Sequence, residues 1–239
     1  VRRKLDTAIL RINQRSECFN SQSFRHPLKN TLAVNVGNIT EIISSDENSL
    51  SKEIENTVDA ARLVNLTIEK IDTPLEHGKA ISTNDPNEIL STPANIILPG
   101  NARDVFKVIY NGPKDDKERY YRLNWKDDPI SESGITKSSK SASATTSATI
   151  STILVVAPRI ENFQYKYENQ KVANLGNSSF RVVASGPGFT DKINLGSDGI
   201  CKERYYLMPN LAVKLQLVDI NNKKTSVGIW HKGNFIVVK

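Results

Sequence analysis

From Val34 onward the chain alternates short apolar-rich runs with turn residues, and no segment keeps a helical period over three turns. Residues 34–43 form one such run. Residues 57–72, with Leu63, Val64, Leu66, Ile68 and Ile71, form another, and a polar Ser/Asp/Glu/Asn stretch separates the two. Residues 89–98 contain Thr92-Pro93 and close at Pro99-Gly100, 105–110 close at Asn111-Gly112-Pro113, and 118–125 stop at Asp127-Asp128-Pro129. Beyond Pro158 the spacing restarts, with strand-like runs at 163–167, 172–175, 180–184, 205–207, 212–218, 226–230 and 235–238. Many short strands punctuated in this way predict an all-β chain of two β-sandwich domains, 34–157 and 158–239.

One run differs from the others. Residues 142–156 read A-S-A-T-T-S-A-T-I-S-T-I-L-V-V, and every second residue from Ala142 to Ile150, Thr146 excepted, is apolar. Period two means a strand with one apolar face. Here that face carries small side chains (Ala142, Ala144, Ala148) before Ile150 and Leu154, and the preceding residues 131–141 are rich in Ser and Lys. Small apolar knobs on a strand that enters from such a loop suit a groove in another protein. Ala142, Ala144, Thr146, Ala148, Ile150 and Leu154 are therefore the candidate partner-binding residues.

The formal net charge of +6 points at first to nucleic acid or a membrane surface. Its distribution argues otherwise. Residues 1–33 hold seven basic and two acidic side chains, which leaves only +1 for residues 34–239. The main body is near neutral, so neither nucleic acid nor membrane insertion is an expected partner. No apolar run approaches the length of a membrane-spanning helix. Residues 1–33 lack an uninterrupted apolar stretch, because Arg11 cuts off Ala8-Ile9-Leu10; yet Thr31-Leu32-Ala33 has the small-x-small form that precedes signal cleavage. The expectation is a non-native or disordered segment outside the fold, with a genuine arm as the alternative. Cys18 and Cys201 lie far apart, one of them in this segment, and are expected to be free thiols.

Catalytic chemistry leaves no constellation. His26, His77 and His231 are scattered, and metal-ligand spacings, a P-loop, a dinucleotide fingerprint and Gly-x-Ser-x-Gly are all absent. Ser185-Gly186-Pro187-Gly188 reads as a turn. Asp115-Asp116 and Asp127-Asp128 are adjacent pairs whose side chains diverge on a strand, and they read as solvated turns. In Arg119-Tyr120-Tyr121-Arg122 the alternation puts Tyr121 and Leu123 on one face, as in a half-buried strand. The expectation is a protein that is not an enzyme and has no cofactor or metal.

The segments N-I-I-L-P-G, V-F-K-V-I-Y-N-G-P-K-D-D-K-E-R-Y-Y-R-L-N-W and the alternating strand ending in A-P-R resemble the pilus chaperones of the chaperone–usher pathway. V-N-V-G-N-I, D-A-A-R-L-V-N-L, T-I-L-V-V-A-P-R and Y-Y-L-M-P resemble in particular the common-pilus (Ecp, or Mat) chaperone group, over residues 34–239. The resemblance implies two immunoglobulin-like domains in an L-shaped, PapD-like arrangement. It also implies a periplasmic chaperone that completes pilin subunits by donor-strand complementation and delivers them to an outer-membrane usher. The better-known members anchor the subunit's terminal carboxylate with a first-strand Arg and a last-strand Lys. Here residues 34–43 hold no basic residue and the Lys position falls near Ile153, which leaves Arg62 and Arg159 as the nearest candidates. Asp127, by its place before Pro129, resembles a family carboxylate at the domain hinge and is expected to pair with Arg159. Close relatives can bridge a cysteine near Gly188 to the one at Cys201; glycine at that position implies that this bridge is lost. The rival reading is a two-domain surface adhesion or carbohydrate-binding module. It needs exposed aromatic side chains, whereas Trp125 and Trp230 fall inside strand patterns.

Overall fold

The computed structural model describes residues 17–19, 33–83, 85–130, 146–188 and 200–239, which contain strands and turns and no helix. They fall into two compact units. One takes the described residues from 33 to 113 and from 119 to 156. The other takes 114–118, the described residues from 157 onward, and strand β1 (Glu17–Phe19).

The first unit holds β2 (Val34–Asn35), β3 (Thr40–Ile43), β4 (Ser49–Asn56), β5 (Arg62–Ile71), β6 (Ile89–Thr92), β7 (Asn95–Leu98), β8 (Arg103–Tyr110), β9 (Arg119–Pro129) and β10 (Ala148–Val156). Two sheets, β3-β10-β9-β5-β7 and β2-β4-β8-β6, enclose one apolar core. Tyr121, Leu123 and Trp125 alternate inward from β9, and Trp125 meets the Phe106 ring edge-on at 5.2 Å and 88°. The run 34–43 divides because Gly37 takes a φ of 67°, with its N–H donated to the Asn35 side chain at 3.0 Å. The turn passes the chain from one sheet to the other: β2 pairs with β4, and β3 runs parallel to β10. Pro93, which has no N–H to give a ladder, likewise divides 89–98 between the two sheets.

Two corrections concern polar residues. The polar stretch that separates the first two runs contains a strand, β4, whose inward positions include Lys52 and Asn56 beside Ile54. Lys52 Nζ donates to the Asn38 carbonyl at 2.6 Å and to the Glu41 carboxylate at 3.3 Å. Asn56 Nδ2 donates to the carbonyls of Ala60, Leu98 and Pro99. Burial is affordable for both because their hydrogen bonds are made inside the protein. Asp127-Asp128 is not a solvated turn either, since β9 continues through it to Pro129.

The second unit is a smaller sandwich of β1-β14-β13-β16-β17 and β11-β12-β15. Its further strands are β11 (Tyr165–Glu168), β12 (Lys171–Asn174), β13 (Phe180–Pro187), β14 (Ile200–Leu207), β15 (Ala212–Lys214), β16 (Ser226–His231) and β17 (Asn234–Val237). Ser185 and Gly186 lie within β13 rather than in a turn. The expected strand 212–218 stops at Lys214. Beyond it the buried Glu203 carboxylate accepts the backbone N–H groups of Gln216, Leu217 and Val218, and the Tyr205 hydroxyl as well. The chain is thus all-β, with two immunoglobulin-like sandwiches.

The amino-terminal segment departs from expectation at one place. Glu17–Phe19 pairs antiparallel with β14 and sets Cys18 opposite Cys201. Cys201 is disulfide-bonded, no free cysteine remains among the described residues, and Cys18 is the only other cysteine of the chain. The expectation of free thiols is therefore overturned, because backbone pairing brings together positions that sequence distance separates. Denatured without reductant, the protein should take up no thiol reagent, and after reduction it should take up two equivalents. Deleting residues 1–33 should lower the thermal midpoint, by roughly 2–4 kcal/mol of stability for the lost cross-link. An unchanged midpoint would contradict this.

Candidate functional site

The site is built on β10, which has two halves. Over Ile153–Val156 it pairs with β9 on one side and with β3 on the other. Over Ala148–Thr152 it pairs with β9, and no other strand of the described residues lies on its second side. On the β3 side the Ile153 N–H is donated to the Ile39 carbonyl at 2.8 Å. Amino-terminal to that point this edge of the backbone is open among the described residues, a template for another strand.

The side chains follow the same division. Leu154 is 0% exposed and sits in the core among Val64, Leu123 and Trp125. It is part of the domain's own packing, which corrects its place among the candidate donor residues. Thr152 also faces inward and accepts the Trp125 indole N–H at 3.0 Å. Ile150, opposite Trp125 in register, is half-buried at the margin of the core, and Ala148 is likewise partly covered. Thr149 and Ser151 point outward. Ala142 and Ala144 lie outside the described residues.

At the start of β10 stands a buried ion pair. Asp127 is directly opposite Ala148, and Arg62 on β5 is paired with Pro129, two residues from Asp127 on the same face of β9. Arg62 Nε donates to the Asp127 carboxylate at 2.5 Å, and Arg62 Nη2 donates to the Thr146 carbonyl at 2.9 Å. Both charged groups are buried. The partner of Asp127 is thus Arg62, from the neighbouring strand, rather than Arg159, which follows β10 and belongs to the other compact unit. Sequence reasoning had both residues of this pair as candidates but not together. The signal was available in the strand alternation, which puts Asp127 on the inward face with Tyr121, Leu123 and Trp125.

A cleft of about 480 Å³ elsewhere in the first unit is lined by Lys70, Asp85, Glu88 and Arg119 among others. Its Glu88 carboxylate is already engaged. Glu88 accepts from Lys70 Nζ at 2.7 and 2.9 Å, from the Thr83 hydroxyl at 2.7 Å and from the Tyr121 hydroxyl at 2.6 Å. Burial disfavours the charged form, and the hydrogen bonds from Lys70, Tyr121 and Thr83 outweigh it, so Glu88 titrates below its ordinary range. Burial, and then the bond to Glu88, push the Tyr121 phenol upward. These groups are a saturated polar core. Among the described residues no three His, Cys, Asp or Glu side chains are grouped to hold a metal ion.

Trp125 is buried, but Trp230 is on the outward face of β16 and 42% exposed, beside Phe235 at 5.3 Å between ring centroids. A strand pattern therefore did not remove Trp230 from the surface. The Phe235 ring lies over Gly228, where a Cβ would come within 2.1 Å of it.

Two immunoglobulin-like sandwiches, the first with a last strand bonded on one side over half its length, define the class. The model of the EcpB C-terminal domain matches residues 163–238. A Klebsiella pneumoniae (strain 342) protein named "Probable fimbrial chaperone EcpB" is 43% identical over 208 residues, covering 87% of this chain and 91% of that protein. Its namesake from Escherichia coli (strain K12) is 42% identical over 207 residues, again covering 87% and 91%. The crystal structure of the class 5 fimbriae chaperone CfaA aligns with a TM-score of 0.49 at 15% identity, over 85% of this chain and 97% of that one. The chain belongs to the EcpB family of fimbrial chaperones.

Removing one partner of the Arg62–Asp127 pair leaves a buried charge uncompensated, so Asp127→Ala should cost roughly 3–5 kcal/mol by chemical denaturation. Adding Arg62→Ala should cost much less than a second independent loss. Adding Arg159→Ala should simply add, and coupling between Asp127 and Arg159 would contradict the assignment. Glu88→Gln gives a test by pH. A carboxylate with a lowered folded-state pKa adds stability that is full above the ordinary value near 4.5 and is lost as pH falls through the folded value. The deficit of Glu88→Gln should be largest near neutrality, roughly 1–3 kcal/mol, and should close on acidification below that value. A constant deficit would show that charge is not involved.

Proposed function

We propose that this chaperone acts in the periplasm, binds pilin subunits by lending them the open edge of β10, and delivers them to an outer-membrane usher. The one-sided pairing of Ala148–Thr152 supports this reading more than any other observation. An incomplete sandwich that takes up this edge gains a strand by backbone hydrogen bonding, and alternate side chains fill its groove. Ala142, Ala144, Thr146, Ala148 and Ile150 are the residues assigned to that groove. Small side chains suit a hold that must later be released: Ala contributes little burial, and Ile150 contributes roughly 1.5–3 kcal/mol. The work is binding and transfer, not catalysis, and requires no cofactor, metal or nucleic acid. Arg62 and Arg159 are the residues proposed to anchor a subunit carboxylate, and Arg62 is already engaged by Asp127 and Thr146.

The exposed Trp230–Phe235 pair is the observation that favours the rival carbohydrate-binding reading. Trp230→Ala should leave subunit capture intact, whereas the rival reading requires a carbohydrate-binding activity that this change abolishes.

The direct test is co-expression with the pilin of the same operon, followed by purification of the complex. Ile150→Asp should leave the chaperone folded, because its place at the core margin lets the charge stay hydrated, and should abolish co-purification, where the charge would be buried unpaired. Thr149→Asp, on the outward face, should co-purify normally. Normal capture by Ile150→Asp would rule out strand lending.

A further inference from the structure

We propose that Arg62 is a positioning residue that fixes where the open edge of β10 begins, by holding the Thr146 carbonyl against the Asp127 end of β9. Arg62, bonded to Asp127 of β9, and the next β9 residue, Asp128, hold the two consecutive residues before β10, Thr146 and Ser147. On the inner side, Arg62 donates Nε to Asp127 at 2.5 Å and Nη2 to the Thr146 carbonyl at 2.9 Å. On the outer side, Ser147 hydrogen-bonds the Asp128 carboxylate, which also pairs with Lys126 Nζ at 3.0 Å. The first ladder pair, Ala148 with Asp127, follows at once.

The guanidinium suits this task in a way an ammonium does not. Its rigid fork gives one N–H to a carboxylate and another to a carbonyl in a fixed direction, whereas lysine offers a single point charge on a flexible stem. Buried between β5 and β9, Arg62 has little freedom of its own, and its position transmits to Thr146. The consequence, which rests on the strand-lending reading, is a preformed edge. Residues from Ala148 to Thr152 are held in extended register before a partner arrives, so their ordering cost is met within the free chaperone.

Amide hydrogen exchange on the full free chain tests this without any subunit, so its outcome is independent of whether the strand is lent. Arg62→Lys keeps the charge beside Asp127 and removes the second bond. Exchange in the fragment spanning 147–152 should rise at least about tenfold, while β5, the middle of β9 and Ile153–Val156 stay as in the unchanged protein. Ser147→Ala, which touches only the outer grip, should raise exchange in the same fragment to a smaller degree. Arg62→Lys that leaves the fragment unchanged, that raises exchange evenly across the first unit, or that fails to fold overturns the assignment. In that last case Arg62 serves the core rather than the edge. Ser147→Ala without effect removes the outer half of the grip.

Discussion

The hydrogen-bonding capacity of β10 is filled unevenly, and the rest of the molecule is arranged around that fact. A strand inside a sheet has both of its edges paired, and an unpaired edge normally has to be shortened, charged or covered. β10 is paired on both sides from Ile153 to Val156 and on one side from Ala148 to Thr152. Its carboxyl half is therefore fixed in the domain, with Leu154, Val155 and Val156 buried, and among the described residues its amino half has one edge unpaired. β3 decides where one half gives way to the other. It reaches β10 only after the Gly37 turn has brought the chain across from the opposite sheet, and its pairing begins at Thr40 opposite Ile153.

An open edge is useful only if the strand that carries it stays in place. The ladder with β9 supplies nine consecutive register pairs, from Ala148–Asp127 to Val156–Arg119. The Trp125–Thr152 hydrogen bond locks the strand to the core at the boundary between its halves, and the Arg62–Asp127 pair stands at its entry. The side chains between these two points are small or only half-buried. This stretch of β10 is thus paired along its backbone with β9 and modest in its apolar content.

Much of this was legible in the residues. Period-two alternation at 142–156 marked a strand, found over Ala148–Val156, and turn punctuation marked two sandwiches. Where the reading failed, polar groups satisfied by the fold were the cause. Lys52 and Asn56 made β4 read as a polar stretch between strands, since nothing in the local pattern reveals that Asn38, Glu41, Leu98 and Pro99 will accept their protons. Asp127 looked like a turn residue because its partner lies 65 residues away on β5. Leu154 continued the alternation of Ile150, and the position of β3 separates the buried residue from the half-buried one. Cys18 and Cys201 are brought opposite each other by a three-residue strand too short to leave a periodic signal. Trp230 shows the converse limit, because membership of a strand does not say which face a side chain takes.

The most direct test is the structure of the complex purified with its pilin. The account predicts a strand of the subunit hydrogen-bonded to β10 along Ala148–Thr152, with the side chains of Ala148 and Ile150 entering the subunit's groove and the Ile153–Val156 pairing with β3 unchanged. A subunit held elsewhere, with that edge still open, would contradict it.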